Sequence, residues 1–164
     1  MALTFLTAED AILSTINTAW QANAGAFNGG TPPVLLFEST ERSLKPPHPR
    51  DTTKPWARAV IRHGESKKVT LNNDVGTGRY RRFGIVWVQV FVPFADGSAW
   101  TIAQQLAEVA RAAFEGKAVA PPGAATADGV RGVVYTAATV QDKGEDGVFV
   151  RYDMKANFYW DAIV

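Results

Sequence analysis

The sequence predicts an α+β fold in which a mostly antiparallel sheet of four to five strands has two helices packed against it. Apolar residues recur at helical spacing over 7–21 and again over 98–115. Alternating or continuous apolar runs predict the strands: 34–37, 56–63, 79–93, 130–140 and 148–163. Consecutive strands are joined by segments rich in Gly, Asn and Asp, and such turns favour antiparallel pairing.

Composition and charge place the chain among globular proteins. It has 164 residues, of which 46% are hydrophobic and 20% are charged, enough for a core. Because we find neither a repeat nor a domain boundary, we predict one domain over 1–164. The 17 Lys and Arg nearly balance the 16 Asp and Glu, so net charge does not indicate a nucleic acid or an anionic membrane as partner.

The absence of Cys excludes disulfides and thiolate chemistry. The first seven residues lack the basic start and apolar run of a secretory signal. No stretch of the sequence approaches the ~20 apolar residues that a membrane helix needs.

Both helices carry recognisable end signals. Thr7 is the expected N-cap of the first helix, and Ser98 is that of the second. Gly116 is the expected stop of the second helix.

Between the helices lies a long Pro-rich loop, 39–55, which is either a functional segment or a tolerated surface insertion. The segment 67–71 is a candidate for a further short strand, and we expect a turn over 72–78 before the long strand. A connection over 117–129 then leads to a hairpin whose turn spans 142–147.

The strand over 79–93 is apolar on both faces. Side chains alternate along a strand, so its faces are as follows: Phe83, Ile85, Trp87 and Phe91, interrupted by Gln89, against Val86, Val88, Val90 and Val92. A strand of this kind must be covered on both sides. Either the two helices lie on opposite faces, or another subunit completes one face.

The sequence offers little that resembles catalytic chemistry. The chain has two histidines, His48 in the Pro-rich loop and His63 at a strand end, and no acid stands at metal-ligand spacing from either. We expect both to be ordinary solvated imidazoles. We therefore predict a protein that is not an enzyme, with no catalytic residue, no metal site and no cofactor.

Two groups of side chains are candidates for partner contacts. The first is a basic patch at a strand end, which is either simply solvated or a contact for an acidic protein surface or passing DNA: Lys67, Lys68, Arg79, Arg81 and Arg82. The second is a candidate assembly loop within 39–55: Arg42, Lys45, His48, Arg50 and Lys54.

Two other classes of function stay open. One is a small-ligand-binding domain that uses the aromatic residues of the sheet: Trp87, Phe91, Tyr152, Phe158 and Trp160. The other is a hydrolytic enzyme that uses His48 or His63, although no nucleophile has a recognisable setting.

The run RYRRFGIVWVQVFVP over 79–93, the Asp96-Gly97 turn and the helix QLAEVARAAFEG over 105–116 resemble the tail terminator proteins of long-tailed phages. The segment WARAVI over 56–61 and the closing hairpin are also similar to that family. The resemblance covers about 3–164, and the 39–55 loop matches it least.

The resemblance implies an α+β subunit that forms a ring, usually of six, on the head-proximal end of the tail tube. Such a ring stops tube polymerisation and offers a surface to the head and neck. The implied partners are other copies of the chain, the major tail tube protein, the end of the tape-measure protein and the head–neck connector protein. DNA would pass only as cargo through the lumen, and no membrane is involved.

The implied location is the virion tail, after assembly in the host cytoplasm. A neck or head–tail joining ring protein is a close alternative, because those rings are built from similar subunits.

Overall fold

The computed structural model describes residues 4–38, 52–69, 78–95, 97–119 and 132–163. Within these ranges the chain forms two helices and six strands, with a short 3-10 helix, Ala24–Phe27, directly after the first helix. The helices are α1 (Phe5–Asn23) and α2 (Ser98–Phe114). The strands are β1 (Val34–Phe37), β2 (Trp56–Lys68), β3 (Arg79–Pro93), β4 (Ala118–Val119), β5 (Val133–Asp146) and β6 (Phe149–Ile163).

The six strands form one sheet in the order β1-β2-β3-β6-β5-β4, which curls into a half-barrel. The α+β class is confirmed, but the sheet has more strands than expected and is mixed, because β1 runs parallel to β2. All other neighbouring pairs are antiparallel. The additional strand, β4, is only two residues long and lies inside the predicted connection over 117–129, so it has no periodicity to detect.

Both helices lie on one face of the sheet. Helix α2 contacts β3, β5 and β6, while α1 packs on α2 and reaches the edge strands β1 and β4. The valines of β3 meet the helices and are buried: Val86, Val88, Val90 and Val92. The expected alternative in which the two helices lie on opposite faces is therefore wrong. No helix of the described ranges lies on the other face of β3.

The helix starts differ from the expected caps. Thr4, not Thr7, is the N-cap of α1. The two threonines form a reciprocal box: Thr7 N donates to Thr4 Oγ1 at 3.2 Å, and Thr4 N donates to Thr7 Oγ1 at 2.9 Å. The N-cap of α2 is Gly97, without a side-chain hydrogen bond, and Ser98 is already helical. Gly116 has φ +66° just beyond the helix, which fits the expected stop.

Two strands continue through segments expected to be breaks. Strand β2 runs unbroken past His63 to Lys68, so the start of the candidate separate strand over 67–71 belongs to β2, while residues 70 and 71 lie outside the described residues. An irregular register between His63 and Ser66 explains the interrupted alternation. Strand β5 continues to Asp146, so the turn over 142–147 is also wrong. A register shift after Asp142 accommodates Gly144, at φ +78°, inside the strand.

None of the helices in the described ranges is both long and apolar enough to span a membrane.

Candidate functional site

The candidate site lies on the sheet face opposite the helices, which is called here the helix-free face. Cross-strand partners project to the same side, and the register aligns Arg58 with Gln89 and Gln89 with Asp153. Trp56, Val60 and Phe91 are buried on this face but lie outside the core packed by the helices.

One end of the helix-free face is an aromatic cluster. The rings of Trp56 and Phe91 stack with centroids 4.2 Å apart and planes 9° from parallel. Phe149 meets both of them edge-on, with centroids 6.2 Å away. Because these three rings cover one another, this end is a small satellite core.

The next row toward the middle of the sheet is polar. Nε of Arg58 donates to Oε1 of Gln89 at 2.8 Å. Arg151 donates two hydrogen bonds to the buried Asp153, from Nε to Oδ1 at 2.9 Å and from Nη2 to Oδ2 at 3.0 Å. The hydrogen bond to Asp153 raises the pKa of Arg151. The buried polar groups of this row are thus mutually satisfied, which suits a structural role.

The middle of the helix-free face is an apolar groove of about 500 Å³, called here the strand groove. The lining residues that project to this face are Arg62, Phe83, Ile85, Asn157 and Tyr159. Phe83 and Ile85 are each 42% exposed. Large apolar side chains exposed together in a concave surface are typical of an interaction site.

The far end of this face carries part of the predicted basic patch. The hairpin does join the two strands, with Lys67 opposite Arg81. Arg79 and Arg81 both bind the buried carboxylate of Asp161; the distance from Arg81 Nε to Oδ1 is 2.9 Å. The guanidinium of Arg81 also lies 4.4 Å from the ring centroid of Tyr159 and so borders the strand groove.

The five patch residues do not share one surface. Arg82 and Lys68 project to the helix side of the sheet by their register. The Arg82 guanidinium lies 4.4 Å from the ring centroid of Phe5, at the start of α1. The patch is thus divided between the two faces of the sheet, and Arg79 and Arg81 are paired with Asp161.

His63 is not a solvated strand-end imidazole. Its Nε2 lies 3.0 Å from Oε1 of Glu9 on α1, and its ring meets Phe5 and Phe158 edge-on. The contact between His63 and Glu9 joins α1 to β2. No group of three or more potential metal ligands occurs in the part of the chain that the structure describes.

The other expected site residues give a mixed outcome. In the candidate assembly loop, Arg42, Lys45, His48 and Arg50 lie outside the described residues, while Lys54 is exposed. The aromatic set offered for a small ligand does not gather in one place. Phe158 and Trp160 belong to the helix-packed core, whereas Trp87 and Phe91 lie on the other face.

No protein-family model and no curated protein sequence matches this chain. Its fold does match 24 chains of known structure. One of them, whose name states no function, has 18% sequence identity and a TM-score of 0.51, with 94% of each chain covered. At this identity the likeness shows the fold alone.

Sequence reasoning missed two acids that bind candidate site residues, Asp161 on the helix-free face and Glu9 on α1. Asp161 and Glu9 lie 80 and 54 residues from their partners Arg81 and His63, so no local motif links them. The usable sequence signal for Asp161 was its position as an acidic residue near the end of the last predicted strand.

Proposed function

We propose that this chain is a structural subunit, a tail terminator of a long-tailed phage, which forms a ring of six on the head-proximal end of the tail tube. The observation that carries the proposal is the helix-free face, with Phe83 and Ile85 exposed along the strand groove. An α+β domain normally buries its apolar sheet surface under a second layer. A neighbouring subunit is the simplest source of the missing cover.

The distribution of polar groups favours assembly over catalysis. Several charged side chains on the helix-free face are held in pairs, Arg151 with Asp153 and Arg81 with Asp161. Groups paired in this way stabilise a surface and offer no nucleophile or general base. We therefore propose a non-enzymatic protein without a cofactor.

The choice of a tail terminator among assembly proteins rests on the resemblance of 79–93, 105–116 and the closing hairpin to that family. Its proposed partners are further copies of itself, the major tail tube protein, the tape-measure end and the head–neck connector protein. DNA passes the ring as cargo. The proposed location is the head-proximal end of the virion tail.

A neck or head–tail joining ring is the alternative within the same class. It would use the same helix-free face but bind the head side of the virion first. Binding to filled heads in preference to isolated tail tubes would favour this alternative.

A small apolar ligand is the alternative from another class. The strand groove, at about 500 Å³, has the size of many ligand sites. Few aromatic side chains line the groove, which argues against this alternative. Outside the helix-packed core, the Trp, Tyr and Phe side chains that border it are Phe83 and Tyr159. Native mass spectrometry of the purified protein would detect a retained ligand.

The test is capping of tail tubes. Tubes polymerised from the tail tube protein of the same phage are incubated with the purified chain, challenged with more tube protein and measured by electron microscopy. We expect density at one end of each tube and no further growth from that end. Continued growth from both ends at saturating protein would reject the terminator.

A pair of matched variants sharpens the experiment. Ile85→Lys places a charge in the strand groove, whereas Gln105→Lys places the same charge on the exposed side of α2. We expect the first variant to lose capping and the second to retain it. Circular dichroism spectra of both variants check that the fold is kept.

A further inference from the structure

A second exposed apolar feature lies at the opposite end of the sheet from the basic patch. Phe94, just beyond β3, is 53% exposed, and Val148, in the β5–β6 turn, is 57% exposed. The two residues are held together by the hydrogen bond from Phe94 N to Val148 O, at 2.9 Å. We call this pair the apolar tip.

The apolar tip cannot enter the strand groove of its own chain. Phe83, in the groove, and Phe94, at the tip, are eleven residues apart along one extended segment. At about 3.4 Å per residue they are separated by roughly 37 Å. Any contact between tip and groove must therefore be made between two copies of the chain.

The charges around the two features are complementary. The strand that leads to the tip ends with three acids and one lysine, Asp142, Glu145, Asp146 and Lys143, and Asp146 lies 3.4 Å from the guanidinium of Arg151. On the helix-free side, the groove end of the sheet carries three basic residues against one acid, Lys67, Arg79 and Arg81 with Asp161, whereas Lys68 and Arg82 project to the helix side. Opposite potentials on two patches guide their association and fix its register.

From these observations we infer that copies of this chain associate head to tail, with Phe94 and Val148 of one copy seated in the strand groove of the next. The inference rests on the proposed ring and names the surfaces that build it. The interface is heterologous, since each copy supplies a tip to one neighbour and a groove to the other. The acidic 142–146 segment of one copy then lies beside the basic end of its neighbour.

The test uses the absence of native cysteine. Two single variants, Val148→Cys in the tip and Ile85→Cys in the groove, are purified separately, mixed and oxidised. Tagging one variant separates the possible products on a non-reducing gel. We expect the mixed disulfide to exceed clearly the twofold ratio over either disulfide between identical variants that random pairing of an equimolar mixture would give.

A control mixture pairs Val148→Cys with Gln105→Cys, which is exposed on the helix side. We expect background cross-linking in this mixture. Thermal unfolding of each variant confirms its fold, and Thr136→Cys, another exposed groove residue, replaces Ile85→Cys if that variant does not fold.

Charge reversal supplies a second readout that does not depend on cysteine. Lys67→Glu should weaken self-association in sedimentation about two- to fivefold, as expected for an exposed charge pair. Mixing it with Glu145→Lys should restore association. Asp10→Lys, an exposed acid on α1, should have no such effect.

The outcomes separate this inference from the proposed function. Disulfides mainly between identical variants, or a wild-type protein that stays monomeric at every soluble concentration, would overturn the head-to-tail interface. If the mixed disulfide forms but tail tubes are not capped, the interface stands and the terminator function fails. If tubes are capped without the mixed disulfide, the reverse holds.

Discussion

The ring of Phe158 lies against Gly84, its partner on the neighbouring strand, so closely that a Cβ on Gly84 would come 2.3 Å from Cζ of Phe158. The backbone oxygen of Arg62 would be 2.7 Å from the same Cβ. Glycine is therefore required in the middle of β3, where a larger residue would otherwise favour the strand.

Gly84→Ala should destabilise the protein by about 1–3 kcal/mol, because Phe158 or the backbone of β2 must move. Gly64→Ala is the matched control on the adjacent strand, since its Cβ would meet the oxygen of Phe83 at an ordinary 3.5 Å. Urea unfolding measures both variants. Equal stability of the two would contradict the close packing at Gly84.

The ion cluster of Asp161 should make stability depend on acid pH. Burial alone would raise the pKa of Asp161, but hydrogen bonds from Arg81 and Arg79 overcome it and hold the pKa below its usual value. A carboxyl with a lowered folded pKa contributes stability that is present above its unfolded pKa of about 3.9 and is lost as pH falls through the folded pKa.

Asp161→Asn should therefore cost about 1–3 kcal/mol at neutral pH, toward the lower figure because both arginines are more than a third exposed. The difference from wild type should shrink below about pH 4. Asp10→Asn is the exposed control. A pH-independent difference between Asp161→Asn and wild type would show that lost packing, not charge, is responsible.

The tryptophans on the two faces of the molecule should differ in their contribution to stability. Trp20 is fully buried on α1, and its Nε1 donates to the oxygen of Pro33 at 2.7 Å. Trp20→Ala should cost about 3–5 kcal/mol.

Trp87, on the helix-free face, is half-buried, with the ammonium of Lys155 4.5 Å from its ring centroid. Trp87→Ala should cost less than Trp20→Ala, about 1–3 kcal/mol. Guanidinium unfolding of the two variants ranks them directly. A larger loss for Trp87 would mean that the helix-free face is the more tightly packed side.

Glu9 and His63 should be energetically coupled, because their side-chain contact joins α1 to β2. The two residues are 54 positions apart in the sequence. A double-mutant cycle of Glu9→Ala and His63→Ala should give a coupling of about 0.5–1.5 kcal/mol. The same cycle with Asp10→Ala in place of Glu9→Ala should give a value near zero. Coupling of similar size in both cycles would indicate a general charge effect and not the 3.0 Å contact.

The elements that the sequence predicts well are those with strong periodicity. The alternation of β3 assigned Val86 and Val88 to one face and Phe83 and Ile85 to the other, and the structure has both sets where expected. Local patterns carry such information because side-chain direction follows directly from the strand repeat.

The sequence predicts poorly whatever depends on neighbours in space. Thr4 and Thr7 are both good caps, and only the packing of α1 decides between them. The turn chemistry of 142–147 indicated a reversal, but pairing with β6 continues through Gly144, with a register shift between Asp142 and Gly144. The partners of His63 and Asp161 come from other elements, so their roles were invisible before the sheet was assembled.

The position of β6 constrains how the protein is made. Although β6 is the last strand of the described chain to be synthesised, it lies between β3 and β5 in the sheet. Until 149–163 has left the ribosome, β3 has one unpaired edge and no strand pairing joins the two halves of the sheet. The nascent chain is therefore prone to aggregate just before β6 emerges, and a holdase chaperone should bind it in that interval.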